Sequence, residues 1–292
     1  MTGQDACALR RATAADAGAL DAFLARFPAT SMFLRSNLAS HGVDDDTHPH
    51  GTAFYVNARG DIDRVFGITN GGYLMAQAPD VPHAAWAAFA DEIKGRTVAG
   101  MTGRPVQVAA CLAATGLISG PWMVMADEPL YHLSLDALPD LPGPVRTPEP
   151  GDLSLLERWY ATYDLDTGQA LPEDGPSPRA KVRAQAAIGS QDVVILEQEG
   201  TPVAMAGINA RVADIVQVGG VFTPDGMRGN GYARRAVAGL LHKCRTAGAR
   251  AAVLFANNAA AAHAYEALGF VHVGEYRVAL LTQPRRVEGG QN

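Results

Sequence analysis

Residues 219–234 constrain this chain more than any other stretch. An apolar strand end (Gly219, Gly220, Val221, Phe222) breaks into a turn carrying Gly226, Gly229 and Gly231, and the turn opens an alanine-rich helix. Amide hydrogens freed at a helix N-terminus, together with the positive end of the helix dipole, make a cradle for an anion, and glycines let a backbone approach it closely. Gly226 and Gly231 have the spacing of a nucleotide P-loop, but Tyr232 and Ala233 stand where its Lys and Ser/Thr would be needed. A dinucleotide fingerprint built on Gly229 and Gly231 would need a small residue at position 234, which is Arg234. Neither reading survives, so the anion is of another kind.

Composition limits the partners. The chain has 292 residues, 48% hydrophobic and 18% charged, enough for two cores. Its net charge of -6 argues against a broad basic face for nucleic acid, so an anionic ligand must be held by local donors. No stretch approaches the roughly 18 consecutive apolar residues of a membrane span, and Met1 to Arg11 lacks the apolar core of a signal peptide. No membrane partner is expected, and the expected location is cytoplasmic. Cys7, Cys111 and Cys244 are widely spaced and give neither a disulfide framework nor a zinc pattern. The run Asp44, Asp45, Asp46, His48, His50 has metal-ligand residue types, but no helical or strand spacing fixes them, and it reads as a hydrated acidic loop. No metal is expected.

Five prolines between Pro139 and Pro150 suit a linker, and similar orders of elements flank it. Arg11 to Asp16 followed by Leu20, Phe23 and Leu24 parallels Arg146 to Asp152 followed by Leu153, Leu156 and Trp159. A strand pair follows in each half, 54–57 with 65–69 and 193–197 with 203–208. The expected organisation is a first domain over 1–138 closed by a strand at 130–135, a linker over 139–150, a second domain over 145–284, and a tail over 285–292. In the second half the pattern predicts helices at 178–189, 231–247 and 258–267, and strands at 193–197, 203–211, 215–222, 251–256 and 271–281. Ser177 before Pro178 has helix-start chemistry. The interval 164–179 is long for a compact domain and is the candidate for acceptor selection.

The segment Arg228, Gly229, Asn230, Gly231, Tyr232, Ala233 matches Arg/Gln-x-x-Gly-x-Gly/Ala, and downstream Asn258 is followed by Tyr265, Gly269 and Phe270. In this order the two motifs resemble the GCN5-related N-acetyltransferase (GNAT) family over about residues 145–284. The resemblance implies an α/β fold of the α+β type: two tandem GNAT-like domains, each a mixed twisted sheet flanked by helices, the first a degenerate copy without a glycine cradle. It implies acetyl-coenzyme A as co-substrate and a small-molecule or peptide amine as acceptor, attacked directly in a ternary complex. Val221, Phe222 and Thr223 would offer main-chain groups to the pantetheine arm. The amides of Gly229, Asn230, Gly231, Tyr232, Ala233 and Arg234 would receive the pyrophosphate, with Arg228 adding positive charge. Asn258 would bond the pantetheine or cap its helix. Tyr265 would protonate the departing thiolate, while its spacing with Ala261, Ala262 and Leu268 also fits plain packing. Where several members of the family place a basic Glu, this chain has Val253. Gln217, Glu197 and Asp214 are alternatives that the sequence does not rank. An acyl-coenzyme A sensor without turnover is the competing reading.

Overall fold

The computed structural model describes residues 7–141, 143–171 and 177–288. It divides into two compact units, Met1–Asp127 with Glu275–Asn292, and Glu128–Gly274.

The first unit runs β1 (Leu9–Arg11), α1 (Ala17–Leu24), α2 (Met32–His41), β2 (Thr52–Asn57), β3 (Val65–Thr69), β4 (Tyr73–Gln77), α3 (His83–Glu92), β5 (Thr97–Gly103), α4 (Pro105–Ala114) and the start of β6 (Trp122–Ser134). The second runs from the end of β6 through β7 (Val145–Arg146), α5 (Leu153–Asp166), α6 (Pro178–Ala187), β8 (Val193–Gln198), β9 (Thr201–Val212), β10 (Ile215–Phe222), α7 (Tyr232–Thr246), β11 (Ala251–Phe255) and α8 (Ala259–Glu266) to the start of β12 (Val271–Arg286). The two orders are the same: one strand, two helices, three strands, then helix, strand, helix, strand.

The sheets repeat as well. The first unit pairs β1-β2-β3-β4-β5-β12 and the second β7-β8-β9-β10-β11-β6. In each, the fourth and fifth strands are parallel, β4 with β5 and β10 with β11. The other pairings with recorded registers are antiparallel. Each sheet is sandwiched between helices. In the second unit Leu240, Leu241 and Cys244 of α7 and Leu268 after α8 pack on one face, and Leu156, Trp159 and Tyr160 of α5 with Ala180 and Ala184 of α6 on the other. The duplication extends to side chains at the entry to the first helix. Arg10 holds Asp16 at 2.8 and 2.7 Å, and Arg146 holds Asp152 at 2.6 and 2.9 Å, each pair six residues apart.

Local chemistry accounts for the elements. Ser177 Oγ accepts the Ala180 amide at 3.0 Å and starts α6 at Pro178. Glu199 and Gly200 both have positive φ, 52° and 76°, in the two-residue turn whose twist suits the β8–β9 hairpin. Ala233, expected on the buried stripe of α7, is only partly buried, while Val237, Leu240, Leu241 and Cys244 are buried as their period requires.

The unit boundaries depart from the expected domains. The segment 139–150 lies inside the second unit, and the two long strands carry the division instead. Residues 130–134 of β6, expected to close the first domain, pair with β11 from Ala251↔Ser134 to Phe255↔Leu130. Residues 277–286 of β12, assigned to the second domain and the tail, pair with β5 from Arg277↔Gly103 to Arg286↔Thr97. Composition marks where a chain is irregular; it carries no information on which sheet a distant strand joins.

Candidate active site

Two opposed irregularities in β9 and β10 shape the site. The register advances regularly to Gln217↔Ala210, slips past Asn209 to Val218↔Ile208, and slips back between Gly219↔Gly207 and Phe222↔Met205. A β-bulge bends the strand that carries it, and Gly220, with φ 59°, supplies the left-handed residue. Parallel pairing of β10 with β11 is recorded from Ile215↔Ala251 only to Gln217↔Val253, although β10 continues to Phe222 and β11 to Phe255. The strands part there and leave main-chain groups without a strand partner.

The glycine turn sits at the open end. Gly229 (φ 82°) and Gly231 (φ 71°) are left-handed on either side of Asn230, an alternation that turns successive amides toward one point. Asn230 Nδ2 donates to the carbonyls of Met227 and Arg228 at 3.1 and 3.3 Å and ties the turn together. The first α-helical bond is Arg235 N to Gly231 O, and among the described residues the amides of 229–234 donate to no main-chain carbonyl. A hollow of about 410 Å³ opens beside them, lined by Gly229, Asn230, Gly231, Arg234 and Ala264. A Cβ at Gly229 would meet nothing within 4 Å, and one at Gly231 only an Arg234 nitrogen at 3.7 Å. The two glycines are therefore not set by packing of the protein on itself.

The remaining expected residues fall into place unevenly. Arg228 is braced: Nε donates to Thr223 O at 3.0 Å, and its other nitrogens pair with Asp166 at 2.5 Å and Asp225 at 2.9 Å. Its charge is shared with two carboxylates. Arg234 lines the hollow, and its buried Nε has no partner among the described residues. The Phe222 ring lies 5.9 Å from Trp159 and 6.0 Å from the Arg228 guanidinium, and the Thr223 carbonyl accepts from Arg228, which leaves the main-chain groups of Val221 and Phe222 and the amides on offer. Asn258 caps α8, accepting the Ala261 amide at 2.9 Å. Tyr265 is 6% exposed and packs on Phe270 at 6.0 Å. Burial, reinforced by the nearby Tyr163 and Glu128, pushes its phenol far above the ordinary tyrosine range.

Several neighbours were not visible in the sequence. The Gly220 amide donates to the Tyr163 phenol oxygen. Arg183 lies over the Tyr160 and Tyr163 rings at 4.3 and 5.1 Å and pairs with buried Asp164 at 2.9 Å. A Cβ at Gly220 would stand 3.4 Å from Arg183 and 3.8 Å from Tyr160, so this cluster walls the bulge. Two adjacent glycines inside a strand pattern were the available signal for the bulge; the α5 and α6 partners had none. Of the interval expected to select the acceptor, 172–176 lies outside the described residues. Gln217 is 1% exposed, bonds its own neighbour's carbonyl at 2.8 Å, and leaves Oε1 without a partner among the described residues. Glu197 is tied to Arg146 at 2.7 Å.

Outside this region, the acidic loop closes on itself, Asp45 Oδ1 accepting the amides of Thr47 and His48 at 2.9 and 3.0 Å. Among the described residues no group of three or more His, Cys, Asp or Glu is placed to hold a metal ion, and no helix is long and apolar enough to cross a membrane.

The acetyltransferase (GNAT) family model matches residues 157–270. No curated protein sequence matches the chain. Solved structures share its fold over nearly its whole length. They include a Drosophila protein (12% identity, TM-score 0.61, 94% of this chain and 98% of that one). An acetyltransferase of the GNAT family from Colwellia psychrerythraea (13%, 0.53, 93% and 99%) and a GCN5-related N-acetyltransferase from Sphaerobacter thermophilus (15%, 0.51, 97% and 96%) match similarly. At these identities the likeness is one of fold, and the fold that is shared is the tandem one.

Proposed function

From the premise that this chain carries a GNAT-family acetyltransferase domain at residues 157–270, we propose that it transfers an acyl group, acetyl first among them, from coenzyme A to a primary amine in one ternary complex. The observation that carries this reading is the parting of β10 and β11 after Gln217↔Val253 beside a row of unspent amides at 229–234. An extended pantetheine arm suits the unpaired strand edge, and a pyrophosphate suits the helix N-terminus. The buried oxygens Gln217 Oε1 and Thr223 Oγ1, without a partner among the described residues, add polar groups to the region.

When bound, the thioester supplies an activated acyl carbon and a thiol leaving group. The protein's own groups do the rest. The amides of 229–234 and Arg234 hold the phosphates, and the left-handed glycines keep those amides convergent. The Tyr265 phenol stays protonated throughout the neutral range and is the proton donor to the departing sulfur. A covalent thiol route has no support, since Cys111 and Cys244 are buried with raised pKa values and Cys7 is buried as well.

The first unit keeps the frame without the cradle. β3 and β4 pair without a slip from Val65↔Gln77 to Ile68↔Leu74, and Pro79 and Pro82, which have no amide hydrogen, precede α3. One coenzyme A per chain is the expected stoichiometry.

The test is release of free thiol from acetyl-coenzyme A by the full chain over a panel of primary amines, alongside calorimetry with coenzyme A. Turnover with one site per chain supports the proposal. Tight binding with no turnover on any amine replaces it with the sensor reading, and no binding removes both.

A further inference from the structure

The acyl-transfer reading leaves the amine's proton without a destination, and the face of the sheet beneath the parted strands holds a carboxylate with no other task. In the second unit β6 pairs with β11 as far as Leu130↔Phe255, and the Ala256 amide continues the ladder to Pro129 O at 3.1 Å. Tyr131 and Leu133 of β6 pack into the core under α7 and α8. Strand alternation therefore sends His132, Leu130 and Glu128 to the opposite face. That face also carries Val253, paired with His132, and Gln217, paired with Val253. Glu128 stands one residue beyond Pro129, level with the start of α8. Its charge reaches Tyr163 of α5 and Tyr265 of α8, raising both phenols, while its own shift comes from burial. Tyr163 is the residue bonded to the bulge amide of Gly220. Among the described residues no Arg, Lys or His pairs with Glu128.

We propose that Glu128 is the general base that takes the proton from the acceptor ammonium in the site built around the bulge and Tyr265. The proposal rests on the acyl-transfer reading. Its steps balance. The carboxylate accepts one proton from the ammonium, leaving a nitrogen lone pair, and releases that proton to water after the product has formed. That nitrogen bonds the acyl carbon as the carbon–sulfur bond breaks. The phenol of Tyr265 protonates the sulfur, and the second proton shed by the nitrogen restores the phenol. An ammonium and a thioester yield an amide, a thiol and one proton to solvent.

Burial raises the Glu128 carboxyl to about 7, which makes its ionised form a stronger base than an ordinary carboxylate while keeping it substantially ionised at neutral pH. The two proton transfers are also coupled. The negative charge of Glu128 helps hold the Tyr265 phenol high; once Glu128 is protonated that contribution disappears, and the phenol gives up its proton more readily. Glu128 lies outside the family match at 157–270 and before the proline-rich segment, so it is invisible to any reading of the C-terminal sequence taken alone. Val253 leaves β11 without a carboxylate, and the adjacent strand supplies one.

The experiment compares wild type, Glu128→Gln and Glu128→Asp as full chains, using acetyl-coenzyme A and the panel amine with the fastest thiol release. Steady-state rates are measured from pH 5.5 to 9.5, with coenzyme A affinity by calorimetry. Glu128→Gln is expected to lower kcat/KM for the amine by roughly 10²-fold or more at pH 7, to abolish the acid limb of the profile, and to leave coenzyme A affinity within about twofold. Glu128→Asp is expected to keep the limb at a reduced rate. A Glu128→Gln profile that keeps its acid limb, whatever its rate, overturns the assignment while the acyl-transfer reading stands. A wild-type chain that releases no thiol overturns both.

Discussion

Replacing Gly231 by Ala separates the two things a glycine can do in this turn. The residue has φ 71° and caps α7 in a left-handed conformation. An Ala there pays about 1–2 kcal/mol of backbone strain, but its Cβ meets only an Arg234 nitrogen at 3.7 Å, so no steric term is added. With about 2–4 °C of melting temperature per kcal/mol for a domain of this size, the folded protein should lose roughly 2–8 °C. Binding should suffer more than stability. The methyl occupies the ground a phosphate needs, and rotation of the turn misaims the amides of Tyr232 and Ala233. A hydrogen bond to a charged group contributes about 1.5–3 kcal/mol, and each 1.4 kcal/mol is tenfold in affinity, so coenzyme A should bind about 10- to 100-fold more weakly. Gly226→Ala is the control, since Gly226 has no positive φ and nothing within 4 Å of the added atom. Scanning calorimetry reads stability, and titration calorimetry reads affinity. Equal loss of stability with unchanged coenzyme A affinity in Gly231→Ala would refute the cradle.

Tyr265→Phe removes a buried hydroxyl that no described residue bonds; the melting temperature should hold or rise, coenzyme A affinity should stay within about twofold, and kcat should fall by 10²-fold or more. An unchanged kcat would leave Tyr265 as packing only. Asp166→Asn frees Arg228 from one of its two carboxylates; coenzyme A affinity at low salt should rise about two- to fivefold, the range of an exposed pair, and the gain should vanish near 1 M salt. A fall in affinity would show that the brace matters more than the charge. Glu128→Gln should alter stability with pH. The folded carboxyl titrates near 7 against 4.5 for a free one, so the folded state binds more protons between those values and wild-type stability falls as pH rises through that window. Above pH 7 the Gln variant should be more stable by about 1–3 kcal/mol, the upper figure being the full shift of about 2.5 units and the lower allowing for partial exposure. The gap should close toward pH 4.5; a pH-independent gap in urea melts would mean that Glu128 is not desolvated.

Local signals were legible where a residue acts on its immediate neighbours. Ser177 before Pro178, the Glu199-Gly200 turn and the apolar period of α7 each declare an element through contacts within a few residues, and the strands at 193–198 and 215–222 fall where alternation and composition put them. The glycine turn before α7 was legible for the same reason: its glycines, its asparagine and its helix are contiguous. What escaped was anything assembled from afar. Tyr163 and Arg183 reach the bulge from helices 57 and 37 positions before Gly220, and no spacing rule links them. Arg228 looked like a free positive charge until Asp166, 62 residues away, was seen to hold it. Long strands deceive in a particular way. β6 and β12 look like closing strands of their own halves because alternation reports that a strand exists, and it is silent on the partner.

The repeated architecture turns this into an argument about how activity is distributed along the chain. Both units have the same order of elements, a parallel fourth and fifth strand, and an Arg–Asp clasp before the first helix, so none of those features distinguishes a working site. The differences are confined to a few residues. β10 carries opposed slips around Asn209 and Gly220 where β4 has none, and α7 begins with alternating left-handed glycines where α3 begins after prolines. A straight β4 pairs with β3 without a slip and presents no bulge amide, while the parallel pairing of β4 with β5 and of β10 with β11 is recorded over three positions in each unit. The frame is common to both units, whereas the opposed slips around Gly220 and the alternating glycines before α7 belong to the second. Replacing Gly220 by a residue that avoids positive φ should therefore straighten β10 and weaken coenzyme A binding, which titration calorimetry reads; an unchanged affinity would detach the bulge from the site.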